Sequence, residues 1–147
     1  HVDAWGDDTG FLNIGIKHGG QYFHNLYGVG MRPWGKDRRW SASLGLGGHC
    51  PIGHRFYVDG DAIVSHISQP EPEQGGINLL ARLRVVGGWR IDSRFAIFAG
   101  PSLSTFVSKV EDGSDLALFD GWLLHDGGKD HYRVRLFPGF TVGVQGL

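Results

Sequence analysis

Seven charged side chains are the residues in this sequence best suited to chemistry: Arg55, Asp59, Asp61, Arg82, Arg84, Arg133 and Arg135. They fall in stretches where polar and apolar residues alternate. Asp59 and Asp61 are two positions apart, as are Arg82 and Arg84, and Arg133 and Arg135. Side chains two apart on a β-strand point the same way, so each pair projects from a single face. Guanidinium forks facing carboxylates form strong, often bidentate hydrogen bonds. Such a set can line an anion-binding or gating interior, or it can lock a barrel by charge pairing. An eight-stranded barrel is just wide enough for its side chains to fill, which favours the locked, charge-paired lumen.

The other reactive residue types lack a unifying pattern. His49, Cys50 and His54 form H-C-x3-H about Pro51. A structural metal site takes four ligands, and no second cluster completes the set, so no metal and no cofactor is expected. Ser65, His66, Asp126, Asp130 and His131 are of hydrolase types, but no G-x-S-x-G elbow presents a nucleophile. Adjacent Ser65 and His66 would point to opposite faces of a strand, and so would not act together. His18, His24 and His125 are scattered and read as interfacial or loop residues. The chain reads as non-enzymatic.

The positioning elements come from periodicity. Ile77–Val107 reads as two long strands about a turn near Ile91–Arg94. Leu79, Ala81, Leu83, Val85 and Trp89 share one phase of the first limb, and Asn78, Arg82, Arg84 and Arg90 share the other. In the second limb Phe95, Ile97, Ala99, Leu103 and Val107 alternate with Arg94, Gly100, Ser102 and Ser104. The same reading along the chain predicts strands near 2–6, 11–18, 20–31, 38–48, 54–67, 76–91, 93–108 and 131–146, with 109–130 as a long loop or protruding hairpin. An alternative count makes 116–124 a strand and drops 2–6. Short turns at Gly19-Gly20, around Pro51 and around Asp92 fall at one end, and the connections 32–38, 68–75 and 109–130 at the other. No stretch carries a helical apolar period. The expectation is an all-β, eight-stranded antiparallel up-and-down barrel in a single domain, 1–147.

Bulk properties set limits. A net charge of -1 provides no basic surplus, so nucleic acid is not an expected partner. One cysteine excludes an internal disulfide, and 25 glycines suit close strand contacts. No apolar run approaches the ~20 residues of a membrane helix. A mean hydropathy of -0.16 is compatible with a membrane barrel, because alternating strands average to neutral. The first residues, HVDAWGDD, lack an initiator Met and a signal pattern, and read as a mature form, an excised domain or a fragment.

Two closed architectures fit such strands: a soluble barrel with its apolar face inward, or a membrane barrel with that face toward lipid. The polar face discriminates between them. Glu71, Glu73, Glu111, Lys36, Lys109 and Lys129 all fall in expected loops, while strand charge is almost entirely Arg with Asp59 and Asp61. A solvated sheet face is ordinarily richer in Lys, Glu and Thr, whereas Arg, Asp, Gly and Ser suit a crowded lumen. Leu79, Leu83, Val85, Ile97, Leu103, Val134, Leu136 and Val142 are therefore expected to face lipid. Trp40, Trp89, Phe95, Tyr132 and Phe140 are candidates for an interfacial aromatic girdle.

Phe98-Ala99-Gly100-Pro101-Ser102-Leu103-Ser104 and Gly139-Phe140-Thr141-Val142-Gly143-Val144 resemble strands of small Gram-negative outer-membrane β-barrel proteins. The resemblance extends loosely over 39–147. It implies an eight-stranded transmembrane barrel in the bacterial outer membrane, with both termini on the periplasmic side. Such families commonly end in an aromatic residue, where this chain has Leu147. The functional expectation is an envelope anchor or surface-exposed subunit that contacts outer-membrane lipid and, chiefly through loop 109–130, other envelope proteins. A soluble lipocalin-like barrel holding an apolar ligand is the alternative, and a lipid-modifying barrel enzyme is a third reading.

Overall fold

The structure, a computed structural model, describes residues 1–34, 38–68, 78–109, 121–126 and 132–146. Its strands are β1 (Val2–Asp7), β2 (Leu12–Gly19), β3 (Phe23–Arg32), β4 (Arg39–Ile52), β5 (Phe56–Ile67), β6 (Asn78–Arg90), β7 (Phe95–Lys109), β8 (Trp122–Asp126) and β9 (Tyr132–Gly146). Each of β1 to β7 pairs antiparallel with the next, β7 pairs with β9, and β9 closes the ring on β1. Eight strands thus make a closed barrel, which leaves no free sheet edge along the ring. There is no helix among the described residues.

The hairpin read from Ile77 to Val107 is β6–β7, in one register from Arg90↔Ala96 to Asn78↔Ser108. Its turn is held by Asp92, whose Oδ1 accepts the Arg94 N–H at 2.7 Å, and by the Ile91 N–H donating to Phe95 O at 2.9 Å. The turns 20–22, 53–55 and 91–94 lie at one end with both strand termini of the closing pair, Val2 and Gly146. The strand ends Arg32 and Arg39, Ile67 and Asn78, and Lys109 and Tyr132 lie at the other.

Two expectations about boundaries change. Residues 49–52 continue β4 rather than forming the connection, and the turn is 53–55 with Gly53 at φ 72°. The His49 N–H donates to Tyr22 O on the β3 side, so residue 51 points the same way, beyond the end of β3. The missing N–H of Pro51 therefore breaks no ladder bond. Within 109–130, β8 spans Trp122–Asp126 and pairs with β9 from Leu136 to Arg133, with a register irregularity between Leu123 and His125. It lies beside β9 above the point where the short β1 has ended. Residues 110–120, which contain most of the alternative strand 116–124, lie outside the described residues.

Packing across the wall fixes several glycines. Tyr57 and Gly88 face each other across β5 and β6, and a Cβ on Gly88 would sit 1.9 Å from the Tyr57 Cζ. Phe98 lies on Gly143 across β7 and β9 in the same way, with 2.4 Å from the Phe98 Cζ to such a Cβ. At both places the ring occupies the space that a side chain on the neighbouring strand would fill.

Candidate functional site

Strand alternation turns one phase of every strand inward, and β6 displays it cleanly. Asn78, Leu80, Arg82, Arg84, Val86 and Gly88 are buried, whereas Leu79, Ala81, Leu83, Val85, Gly87 and Trp89 are exposed. Among the described residues, two ionic groups and two apolar clusters stand out in the interior. The larger ionic group centres on Lys17, whose Nζ lies 2.6 Å from Asp59, 3.3 Å from Asp3 and 3.5 Å from Asp61. Asp61 also meets His24 Nε2 at 2.7 Å and receives Arg84 Nε at 2.8 Å. The Arg84 guanidinium stacks against Trp5, 4.8 Å from its ring centre, and lies 5.6 Å from that of Phe98.

A hydrogen-bonded chain leaves this group toward the short-turn end. Arg90 donates to His49 Nε2 at 3.2 Å, so His49 carries its proton on Nδ1 and donates it to Asp59 Oδ1 at 2.6 Å. The second ionic group joins Arg82 to Asp7, with Thr9 and Asn13 also donating to that carboxylate. Arg82 Nε donates to Ser104 Oγ at 3.0 Å, and Ser43 and Ser65 share a hydrogen bond of 2.7 Å.

Apolar clusters share the interior with further buried polar side chains, among them Asn78, Ser102, Ser108 and Thr141. Trp5, Leu26, Ile63, Val86 and Phe98 form one cluster. Phe11, Ile67, Leu80, Phe106 and Phe137 form the other, at the long-loop end. Around the Asp7–Arg82 group the space left between side chains is a hollow of about 10 Å³, room for one water at most. Carboxylates and cations this deeply buried are tolerable only when paired, and here they are.

The expected lumen residues divide. Asp59, Asp61, Arg82 and Arg84 are buried and joined as described. Arg133 and Arg135 are half-buried on the inward phase of β9, opposite Ser108 and Phe106. Arg55 does not belong to the set: it lies exposed in the turn 53–55, where its strand phase has been lost. Sequence reading missed Lys17, Asp3, Asp7, His24 and His49 as ion-pair partners, and also the apolar half of the interior. The signal for Asp3 and Asp7 was available, since both share the phase of buried Trp5.

The outward face is the converse. Leu79, Leu83, Val85, Ile97, Leu103 and Val142 are all exposed, Leu83 by 61%. Val134 and Leu136 point outward but are half-buried, because β8 and β7 flank them. Exposed aromatics gather in two belts. Tyr22, Phe23, Phe56, Trp89 and Phe95 ring the short-turn end, and Trp34, Trp40, Trp122 and Tyr132 the long-loop end. Tyr27, midway along β3, and Phe140, at the β1–β2 turn, are exposed between these levels.

The remaining candidates are separated by strand alternation. His49 points inward, Cys50 is exposed outside, and His54 is exposed in the turn. Ser65 is buried and His66 exposed. Asp130 and His131 lie outside the described residues. Among the described residues no three His, Cys, Asp or Glu side chains are grouped to hold a metal ion. Comparison of the chain with protein-family profiles, curated proteins and solved structures found no match.

Proposed function

We propose that this chain is a transmembrane β-barrel of the bacterial outer membrane, a non-enzymatic envelope anchor or surface-exposed subunit. One observation carries the reading. The barrel is inverted relative to a water-soluble one, with paired ions buried inside and large apolar side chains exposed around the outside. In water such a wall is a large apolar patch, whereas in lipid it is the matching surface. Dimensions support the same reading. Leu79 to Trp89 on β6 spans ten residue steps, about 33 Å of strand, or about 25 Å of height at a tilt near 40°, the height of the apolar band on membrane barrels. The two aromatic belts lie at the ends of this band, where amphipathic rings favour the headgroup level.

The alternative of a lipocalin-like ligand barrel is disfavoured by the same interior, where ion pairs and packed aromatics occupy the space an apolar ligand would need. Recognition belongs to the long-loop end, where β8 exposes Trp122, Leu123 and Leu124 above the rim. The rest of loop 109–130, residues 110–120 and 127–130, lies outside the described residues. Refolding into detergent or vesicles tests the proposal. The folded chain is expected to float with vesicles and to migrate on unheated gels at a mobility that shifts on boiling. A chain that stays monodisperse in buffer without amphiphile would overturn it.

A further inference from the structure

The short-turn end of the barrel opens into a blind cup of about 300 Å³, lined by Lys17, His24, His49, Asp59, Arg90 and Gln145 among others. Its hydrogen-bonding capacity is one-sided. Asp59 has both oxygens engaged, by His49 at 2.6 Å and by Lys17 at 2.6 Å. Asp61 likewise has His24 on one oxygen at 2.7 Å and Arg84 on the other at 2.8 Å. Asp3 accepts from Gln145 at 3.0 Å through Oδ1, and its Oδ2 lies 3.3 Å from the Lys17 ammonium. Asp59 and Asp61 are thus committed, while Asp3 Oδ2 meets the Lys17 ammonium as an ion pair without a hydrogen bond.

Half-buried Arg90 is placed differently from the buried Arg82 and Arg84. Arg82 and Arg84 each touch a carboxylate, but Arg90 has none among the described residues. It donates to His49 at 3.2 Å and lies 5.7 Å from the Tyr57 ring centre, while its Nε is buried without a partner. No protein acceptor faces that nitrogen, so the Arg90 fork is open to an acceptor that enters the cup. A guanidinium is always charged, and its planar fork matches the oxygens of a phosphate or carboxylate. Arg90 also lines the adjoining hollow, beside His54, Arg55 and Asp92.

We propose that this cup binds a small oxyanion of the phosphate class, held by Arg90 at its wall with Lys17 and His24 nearby. The proposal rests on the interior geometry alone and does not depend on what covers the outer wall.

Calorimetric titration of the folded full chain in zwitterionic detergent, at constant ionic strength, tests it with inorganic phosphate. Wild type is expected to give saturable one-to-one binding. Arg90→Gln should weaken it by about tenfold or more, as expected for loss of a charge-assisted fork. Arg55→Gln, in the exposed turn beside the cup, should change it by less than about twofold, as a screened surface charge does. Should Arg90→Gln not fold, Arg90→Lys keeps the charge without the fork and should still weaken binding several-fold. A parallel titration with glycerol phosphate separates the sources: tighter binding of the ester indicates a phosphate carried on a larger molecule, and tighter binding of inorganic phosphate indicates the free ion. Absence of saturable binding by wild type, or equal losses in Arg55→Gln and Arg90→Gln, would overturn the proposal.

Discussion

Replacing Leu83 with arginine separates a lipid-facing wall from a water-facing one by the size of the effect. Leu83 is 61% exposed on β6, opposite Ala62 and Leu103. It lies four residue steps from Leu79 and six from Trp89, so about 10 Å and about 15 Å of height separate it from the ends of the apolar band. That places it near the midplane, where an arginine on a membrane barrel costs about 2–4 kcal/mol. The folding equilibrium should then fall by about 30- to 1,000-fold. On a water-facing surface the same exchange is worth about 0.5 kcal/mol or less. The assay is reversible denaturant unfolding of the barrel in lipid vesicles, followed by tryptophan fluorescence. Leu79→Arg, at the upper margin of the band, provides the comparison and should lose about 1 kcal/mol or less from its charge. If Leu83→Arg unfolds at the wild-type midpoint, the argument from the inverted barrel fails.

Gly88→Ala should lower stability by about 1–3 kcal/mol in the same unfolding assay, since the new methyl meets the Tyr57 ring and one of them must move. In a Tyr57→Ala background Gly88→Ala should cost little more, and an unchanged midpoint in Gly88→Ala alone would refute the contact. Asp61→Ala should cost about 3–5 kcal/mol, because Lys17, Arg84 and His24 lose a shared buried partner; a loss under ~1 kcal/mol, the worth of an exposed pair, would mean that the site is solvated. Cys50, exposed near the short-turn end, should resist a membrane-impermeant maleimide on intact expressing cells and react once the envelope is broken. In a Cys50→Ser background, Arg38→Cys at the long-loop end should label on intact cells, and the reverse pattern would invert the assigned orientation.

The strand count, meander order and outward phase were legible in the sequence because alternation is a local signal. Leu79 to Trp89 carries its own phase, and so does Arg82 with Arg84. What fills the lumen was legible only in part, since inward residues come from strands far apart in the chain. Lys17 meets Asp59 across 42 positions, and Arg82 meets Asp7 across 75. Leu80, Val86, Phe98 and Phe106 share the phase of the buried arginines and serines, so no single strand announces that apolar clusters separate the ion pairs. Arg55 was misplaced for the opposite reason. Its phase is that of Tyr57, but β5 begins at Phe56, and a residue in a turn no longer obeys the alternation. Likewise Pro51 signals a break in isolation, and only the position of β3 beside it explains why β4 runs through.

The central claim is that the outer wall faces lipid. The most direct measurement places a nitroxide on Leu83→Cys in the Cys50→Ser background, in vesicles, and compares its collisions with oxygen and with a water-soluble nickel chelate. Oxygen concentrates in the bilayer and the chelate in water. A lipid-facing wall makes oxygen the dominant collider at position 83. Dominance of the nickel chelate there would contradict it.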